Sequence, residues 1–132
     1  MIFEYKRRIF GFECDIYGHL NNSNYLNLYE EARAIALEEM EVPIRESREK
    51  GISIYLIRIE MDFKKGVQLE DEIKIKSYVE KINRLKSVWI QEIYDSSNEI
   101  CNQVKIEAVF IKDGKPARIS KSLFSHFKKY AE

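Results

Sequence analysis

The sequence predicts an α+β protein: one long helix wrapped by a curved antiparallel sheet of about five strands, with a short helix near the C-terminus. Only Ser23 to Met40 sustains helical spacing over many turns, with Leu26, Tyr29, Ala36 and Met40 joined by Tyr25, Leu28, Ala32, Ile35 and Leu37. Those positions span an arc of roughly 200°, about twice what a helix lying on a protein surface needs, so other elements must surround it. Five separate runs have strand character, and at about 33 Å for ten residues they are long enough to cover the roughly 27 Å helix.

The first run, Phe3 to Phe12, mixes apolar and basic residues in rough alternation, as in a strand exposed on one face. A polar turn follows and leads into the helix. Arg33 falls within the apolar arc and therefore needs an acidic or carbonyl partner, whereas Glu31 and Glu38 point to the polar side. Val42-Pro43 and Lys50-Gly51 bracket a connection with room for at most a short helix. Tyr55, Ile57, Ile59, Met61 and Phe63 then alternate with Leu56, Arg58, Glu60 and Asp62, a period of two that Lys65-Gly66 ends. Ile73 to Ile82, Leu85 to Tyr94 and Ile100 to Lys112 form a meander of hairpins, punctuated by Asn83-Arg84, by Asp95 to Asn98 and by Asp113-Gly114. Ser120 is placed to cap a terminal helix with Leu123, Phe124 and Phe127 on one face, and His126 there reads as a surface or packing residue.

The 132 residues suit one domain, 1–132, with a single sizeable core. Twenty-two basic residues balance 22 acidic ones, so no net field draws the chain to nucleic acid or to an anionic membrane. No apolar run is long enough for a signal peptide or a membrane helix, and the protein is expected in the cytoplasm. Cys14 and Cys101 form no CxxC pair, and with only His19 and His126 as imidazoles neither a disulfide framework nor a metal site is favoured. Cys14 fits a small buried residue better than a nucleophile. No glycine-rich phosphate loop is present, so nothing supports ATP or dinucleotide chemistry, and no cofactor is expected.

The segment Asp15-Ile16-Tyr17-Gly18-His19-Leu20-Asn21-Asn22 gathers an acid, an imidazole and two amides at the entry to the helix. The residues by themselves admit two readings. One is a polar turn with Gly18 at positive φ and Asn22 or Ser23 capping the helix. The other is a reacting site, in which Asp15 is a base or nucleophile and N–H groups at the helix start receive developing negative charge.

This segment, with Tyr25 and Tyr29-Glu30-Glu31-Ala32-Arg33, resembles the signature of hot-dog-fold thioesterases of the 4-hydroxybenzoyl-CoA thioesterase-like branch. The similarity continues through Asp62-Phe63 to Leu69-Glu70-Asp71 and so spans nearly the whole chain. It implies a hot-dog fold and hydrolysis of an acyl-CoA or acyl-carrier-protein thioester, in a homodimer or homotetramer whose sites form between subunits. By position, Asp15 matches the catalytic carboxylate that attacks the thioester carbonyl or activates water. Asn22 matches the backbone N–H that polarises that carbonyl. His19 matches a position that assists Asp15, although some relatives lack a histidine there. Tyr17, Gly18, Asn21 and Tyr25 correspond to residues shaping the acyl site or holding its turn, and Glu30 to an acidic helix position facing the substrate. Tyr29, Ile57, Ile59 and Met61 are candidates for apolar walls, and Lys64, Lys65 and Arg118 for attracting coenzyme A phosphates.

Two rival functions use the same parts. Enoyl-thioester hydratases share the fold, but their motif spaces Asp and His five apart around Asn-Pro, against a spacing of four and no proline here. A non-catalytic acyl-thioester binding module is the other.

Overall fold

The computed structural model describes residues 1–131. Five long strands, β1 (Phe3–Arg8), β2 (Ile52–Phe63), β3 (Glu72–Ile82), β4 (Lys86–Tyr94) and β5 (Ile100–Lys112), form one antiparallel sheet in the order β1-β3-β4-β5-β2. A two-residue strand, β6 (Lys115–Pro116), folds back on the end of β5. Asp113 and Gly114 both take positive φ in that turn, the geometry a two-residue hairpin requires. The meander expected from 73 to 112 is present. The strand before it, β2, does not join the meander at its beginning but crosses to its far side and pairs with β5, which leaves β2 on an open edge.

The long helix α1 (Tyr25–Glu39) lies in the curve of this sheet. Tyr25, Leu28, Tyr29, Ala32, Ala36 and Leu37 are its buried positions, and they meet Ile75, Trp89, Ile93, Val104, Ile106 and Phe110 of the sheet. The helical spacing starts at Ser23 in the sequence, but α1 begins at Tyr25 and Asn22–Asn24 form a separate 3-10 turn. Asn21, not Asn22 or Ser23, is its cap: Asn21 is extended, and its Oδ1 accepts from the Ser23 N–H at 3.0 Å. Glu41 at positive φ ends α1, with the Val42 N–H returning to the Leu37 carbonyl. Pro43 then opens a six-residue helix, α2 (Ile44–Glu49).

Helix α3 (Lys121–Lys128) is capped as its sequence predicts, the Leu123 N–H donating to Ser120 Oγ at 3.1 Å. His126 Nε2 sits 2.6 Å from the Met40 carbonyl, tying α3 to the end of α1. Arg33 finds a carbonyl partner, that of a side-chain amide: its Nη1 donates to Gln91 Oε1 at 2.8 Å. Gln91 is itself buried and donates to the Tyr29 carbonyl and to Ser77 Oγ. Glu31 is not idle on the polar side, since it accepts from Tyr5 and Arg7 of β1. No helix among the described residues is long and apolar enough to cross a membrane.

One departure from the sequence pattern bears on the site. β2 carries a bulge between Leu56 and Arg58, where its register with β5 slips by one residue. The strict alternation from Tyr55 to Phe63 therefore breaks, because an extra residue reverses the facing of everything beyond it. Ile54, Leu56 and Ile59 all line one cavity, while Tyr55 and Ile57 are left more than half exposed.

Candidate active site

The polar turn is held from three directions. Internally, Asp15 Oδ1 accepts from the Tyr17 N–H at 2.8 Å and the His19 N–H at 3.3 Å, while the Gly18 N–H donates to the Asp15 carbonyl. Gly18 has φ +77, which an L side chain occupies only with strain. From the side, the segment after β2 runs antiparallel to the turn: Leu20 N–H donates to Val67 O at 2.7 Å, and Leu69 N–H to Gly18 O at 2.9 Å. From below, Glu13 is 8% exposed and its carboxylate accepts from Arg7, which also reaches Glu31 on α1. The Glu13 carbonyl in turn accepts from the Asn21 N–H and from Asn24 Nδ2. A partly buried cluster of Arg7, Glu13 and Glu31 thus ties β1 and α1 to the base of the turn.

These constraints open a cleft of about 380 Å³ at the start of α1. Asp15, His19, Asn22 and Tyr25 line one side, and Phe63, Lys65 and Gly66 face them. Asp15 is half-buried, and its Oδ2 has no hydrogen-bond partner among the described residues. Asn22 begins the 3-10 turn, so its N–H has no acceptor within that turn. Two residues that line one space, Asp15 and Asn22, thus carry a free carboxylate oxygen and an N–H unsatisfied within its turn, groups able to activate water and to receive negative charge on a carbonyl oxygen.

His19 packs its ring beside Gly66, where an added Cβ would lie 3.7 Å from the imidazole. Tyr25 is almost fully buried and meets Phe63 edge-on at 5.2 Å, and its burial pushes the phenol pKa up. Lys65 Nζ lies 2.6 Å from Asp95 and 2.9 Å from Glu99, which hold it firmly protonated and largely neutralise it. Lys64 has no such ion pair among the described residues and also lines the cleft. Arg118 lies elsewhere, in a pocket with Arg84 and Phe124.

The remaining candidates separate by place. Gly18 and Asn21 build the turn through their backbone and cap. The Tyr17 ring is 77% exposed. Glu30 and Ile59 line a second cavity of about 370 Å³ between α1 and β2. Tyr29 is fully buried, and its hydroxyl donates to Asn102 Oδ1 at 2.7 Å. Burial and the carboxylates of Asp15 and Glu13 raise the Cys14 thiol pKa, so it is a poor nucleophile. Sequence reasoning gave Gly66 and the backbone of Val67 to Leu69 no part in the site, although they fall within the stretch from Asp62 to Asp71 that carries the family resemblance. The pairing that brings them to the turn is non-local.

Comparison with known proteins identifies the fold and the family. A "Putative esterase" of Aquifex aeolicus is 24% identical over 128 residues, covering 97% of this chain and 99% of its own length. The long-chain acyl-CoA thioesterase FadM of Escherichia coli is 27% identical over 86 residues, 65% of this chain and 64% of FadM. Among solved structures, the DHNA-CoA thioesterase of Staphylococcus aureus superposes with a TM-score of 0.90 at 23% identity, covering 97% of this chain and 89% of that one. The shared architecture is the hot-dog fold. The model of the thioesterase-like superfamily matches residues 11–127, and the chain belongs to that superfamily.

Proposed function

We propose that the protein hydrolyses an acyl-CoA or acyl-carrier-protein thioester to a free acid and a thiol. What supports this reading is that Asp15, His19 and Asn22 line one cleft at the start of α1, Asn22 with an N–H left without an acceptor in its turn. The thioester carbonyl oxygen is directed at the Asn22 N–H, where the helix start favours the negative charge that develops as the carbonyl is attacked. Asp15 supplies the attack. The Tyr17 and His19 N–H groups hold its Oδ1, and Oδ2 either adds to the carbonyl carbon or takes a proton from the water that does. His19 borders the same space and bonds the water or the departing sulfur. Lys64 offers an unpaired cation for the carrier's phosphate.

Two of the thioesterases similar to this chain are named for different acyl groups, one for long-chain acyl-CoA and the other for DHNA-CoA, so resemblance supports the reaction and leaves the acyl group to the chain's own cavities. A second copy of the chain is the proposed partner. β2 is twelve residues long on an open edge, with Tyr55, Ile57 and Phe63 all more than half exposed, and a long apolar edge of this kind calls for strand pairing.

The test is Asp15→Asn, assayed by free thiol release from acyl-CoA. The variant should fold with unchanged circular dichroism and lose about 10²- to 10⁴-fold in kcat/KM. Full activity would refute the role given to Asp15. Crotonyl-CoA hydration with no thiol release would favour a hydratase, and saturable acyl-CoA binding without turnover a binding module.

A further inference from the structure

Glu13 takes no part in the proposed chemistry, yet both halves of the candidate site hang from it. It is buried and ends a 3-10 turn, Gly11–Glu13, two residues before Asp15. Its carboxylate is tied to β1: Oε1 accepts from Arg7 Nη2 and, at 3.0 Å, from the Phe10 N–H. The same guanidinium donates through Nη1 to Glu31 Oε2 of α1 at 2.9 Å and through Nε to the Arg8 carbonyl at 3.1 Å, so all three of its nitrogens are engaged. The Glu13 main-chain oxygen is the second anchor. It accepts from the Asn21 N–H at 3.0 Å and from Asn24 Nδ2 at 2.9 Å. Those two residues stand on either side of Asn22 and Ser23: Asn21 caps the 3-10 turn and Asn24 is its last residue.

We propose that Glu13 is the positioning residue of the site: it fixes the Asn22 N–H relative to Asp15, and Arg7 fixes Glu13. The inference rests on the thioesterase reading for its effect on rate. A brace that served stability alone would need only the carboxylate and Arg7, whereas here one carbonyl also gathers a donor from each side of Asn22. Asp15 follows that carbonyl along the chain, and Asn21 and Asn24 are hydrogen-bonded to it, so releasing it lets the N–H move against the carboxylate. A displacement of about 1 Å between reacting groups costs about 10²-fold in rate. The role is geometric and needs an oxygen at the end of the side chain, not a charge. Both bonds to the carboxylate fall on Oε1, which a glutamine supplies equally, and Arg7 would keep Glu31 as its counter-charge.

The test compares Glu13→Ala, Glu13→Gln and Asn24→Ala in the full chain, by thiol release from acyl-CoA and by hydrogen–deuterium exchange. Glu13→Ala should lower kcat about 10²-fold and leave KM within about threefold of wild type, since only the transition state needs the N–H and the carboxylate in register. Glu13→Gln should return kcat to within about fivefold of wild type. Asn24→Ala cuts the same tether from its other end, at a half-buried position, and tests the proposal where Glu13→Ala does not fold; its kcat should fall about tenfold with KM unchanged. In both alanine variants amide exchange should quicken in peptides spanning residues 13–24 and keep wild-type rates in β4 and β5, and Glu13→Gln should exchange as wild type does. Wild-type kcat in the folded alanine variants, a loss confined to KM, or a Glu13→Gln variant as slow as Glu13→Ala would overturn the role. If the wild type releases no thiol, the thioesterase reading fails and exchange decides the brace: quickening confined to residues 13–24 upholds it, and unchanged exchange overturns it.

Discussion

Removing the Tyr29 hydroxyl separates a core role for this residue from a substrate role. Tyr29 is fully buried, its hydroxyl donates to Asn102 Oδ1 at 2.7 Å, and its pKa is pushed far up by burial, so the phenol is neutral at any working pH. Asn102 is also fully buried, and its Nδ2 already lacks a partner among the described residues. Tyr29→Phe leaves both ends of that amide unsatisfied, which costs about 1–3 kcal/mol. A chain of 132 residues has an unfolding entropy near 0.28 kcal/mol/K, so the melting temperature should fall by about 4–11 °C. Replacing both partners, in Tyr29→Phe with Asn102→Val, removes the stranded amide as well. It should recover most of the loss, because two apolar groups in contact carry no desolvation penalty. Differential scanning calorimetry measures both variants, and thiol release measures their turnover, which should stay within about threefold of wild type. The reasoning fails if Tyr29→Phe melts within 2 °C of wild type or if the double variant is less stable than the single one.

Two further outcomes are expected. Ile57→Lys puts a charge on the open edge of β2, and light scattering at micromolar concentration should show a monomer where the wild type is a dimer or larger; a monomeric wild type would refute the edge-pairing proposal. Lys65, together with the Glu99 N–H, holds the Asp95 carboxyl below its ordinary value of 3.8, so this contact contributes stability above that pH and loses it as the pH falls through the depressed value. In urea titrations the stability difference between wild type and Asp95→Asn should be constant above about pH 5 and shrink toward pH 3, and a difference that grows in acid would contradict the assignment.

How far the fold is legible in the sequence depends on whether the signal is local. Helix α1 is legible because Tyr25, Leu28, Tyr29, Ala32 and Ala36 repeat at a spacing only a helix satisfies, and the width of its apolar arc already calls for a surrounding sheet. The strands of the meander are legible because short polar turns separate them, and Ser120 is legible as a cap because its bond spans three residues. The polar turn from Asp15 to Asn22 is legible as a cluster for the same reason: its residues are contiguous.

Three features are not legible, and each decides what the cluster can do. The bulge at Leu56/Arg58 breaks an alternation that is perfect in the sequence, and it arises from pairing with β5 about fifty residues away. Without it Tyr55 would share a face with Ile59; with it, Leu56 and Ile59 face the cavity together. Gln91 and Asn102 occupy strand positions that read as ordinary polar residues, yet both are fully buried, because α1 brings Arg33 and Tyr29 down onto them. Val67 to Leu69 supply the backbone that braces the turn, and no residue type there announces it, since main-chain hydrogen bonds are indifferent to side chains. The groups of the candidate site are therefore written locally, in Asp15, His19 and Asn22. The shape of the space beside it depends on contacts between distant strands. Chains that share the local part can accordingly differ in the space beside it, and here that space is shaped by side chains of α1 and β2, Ala34 and Leu56 among them, more than by the motif.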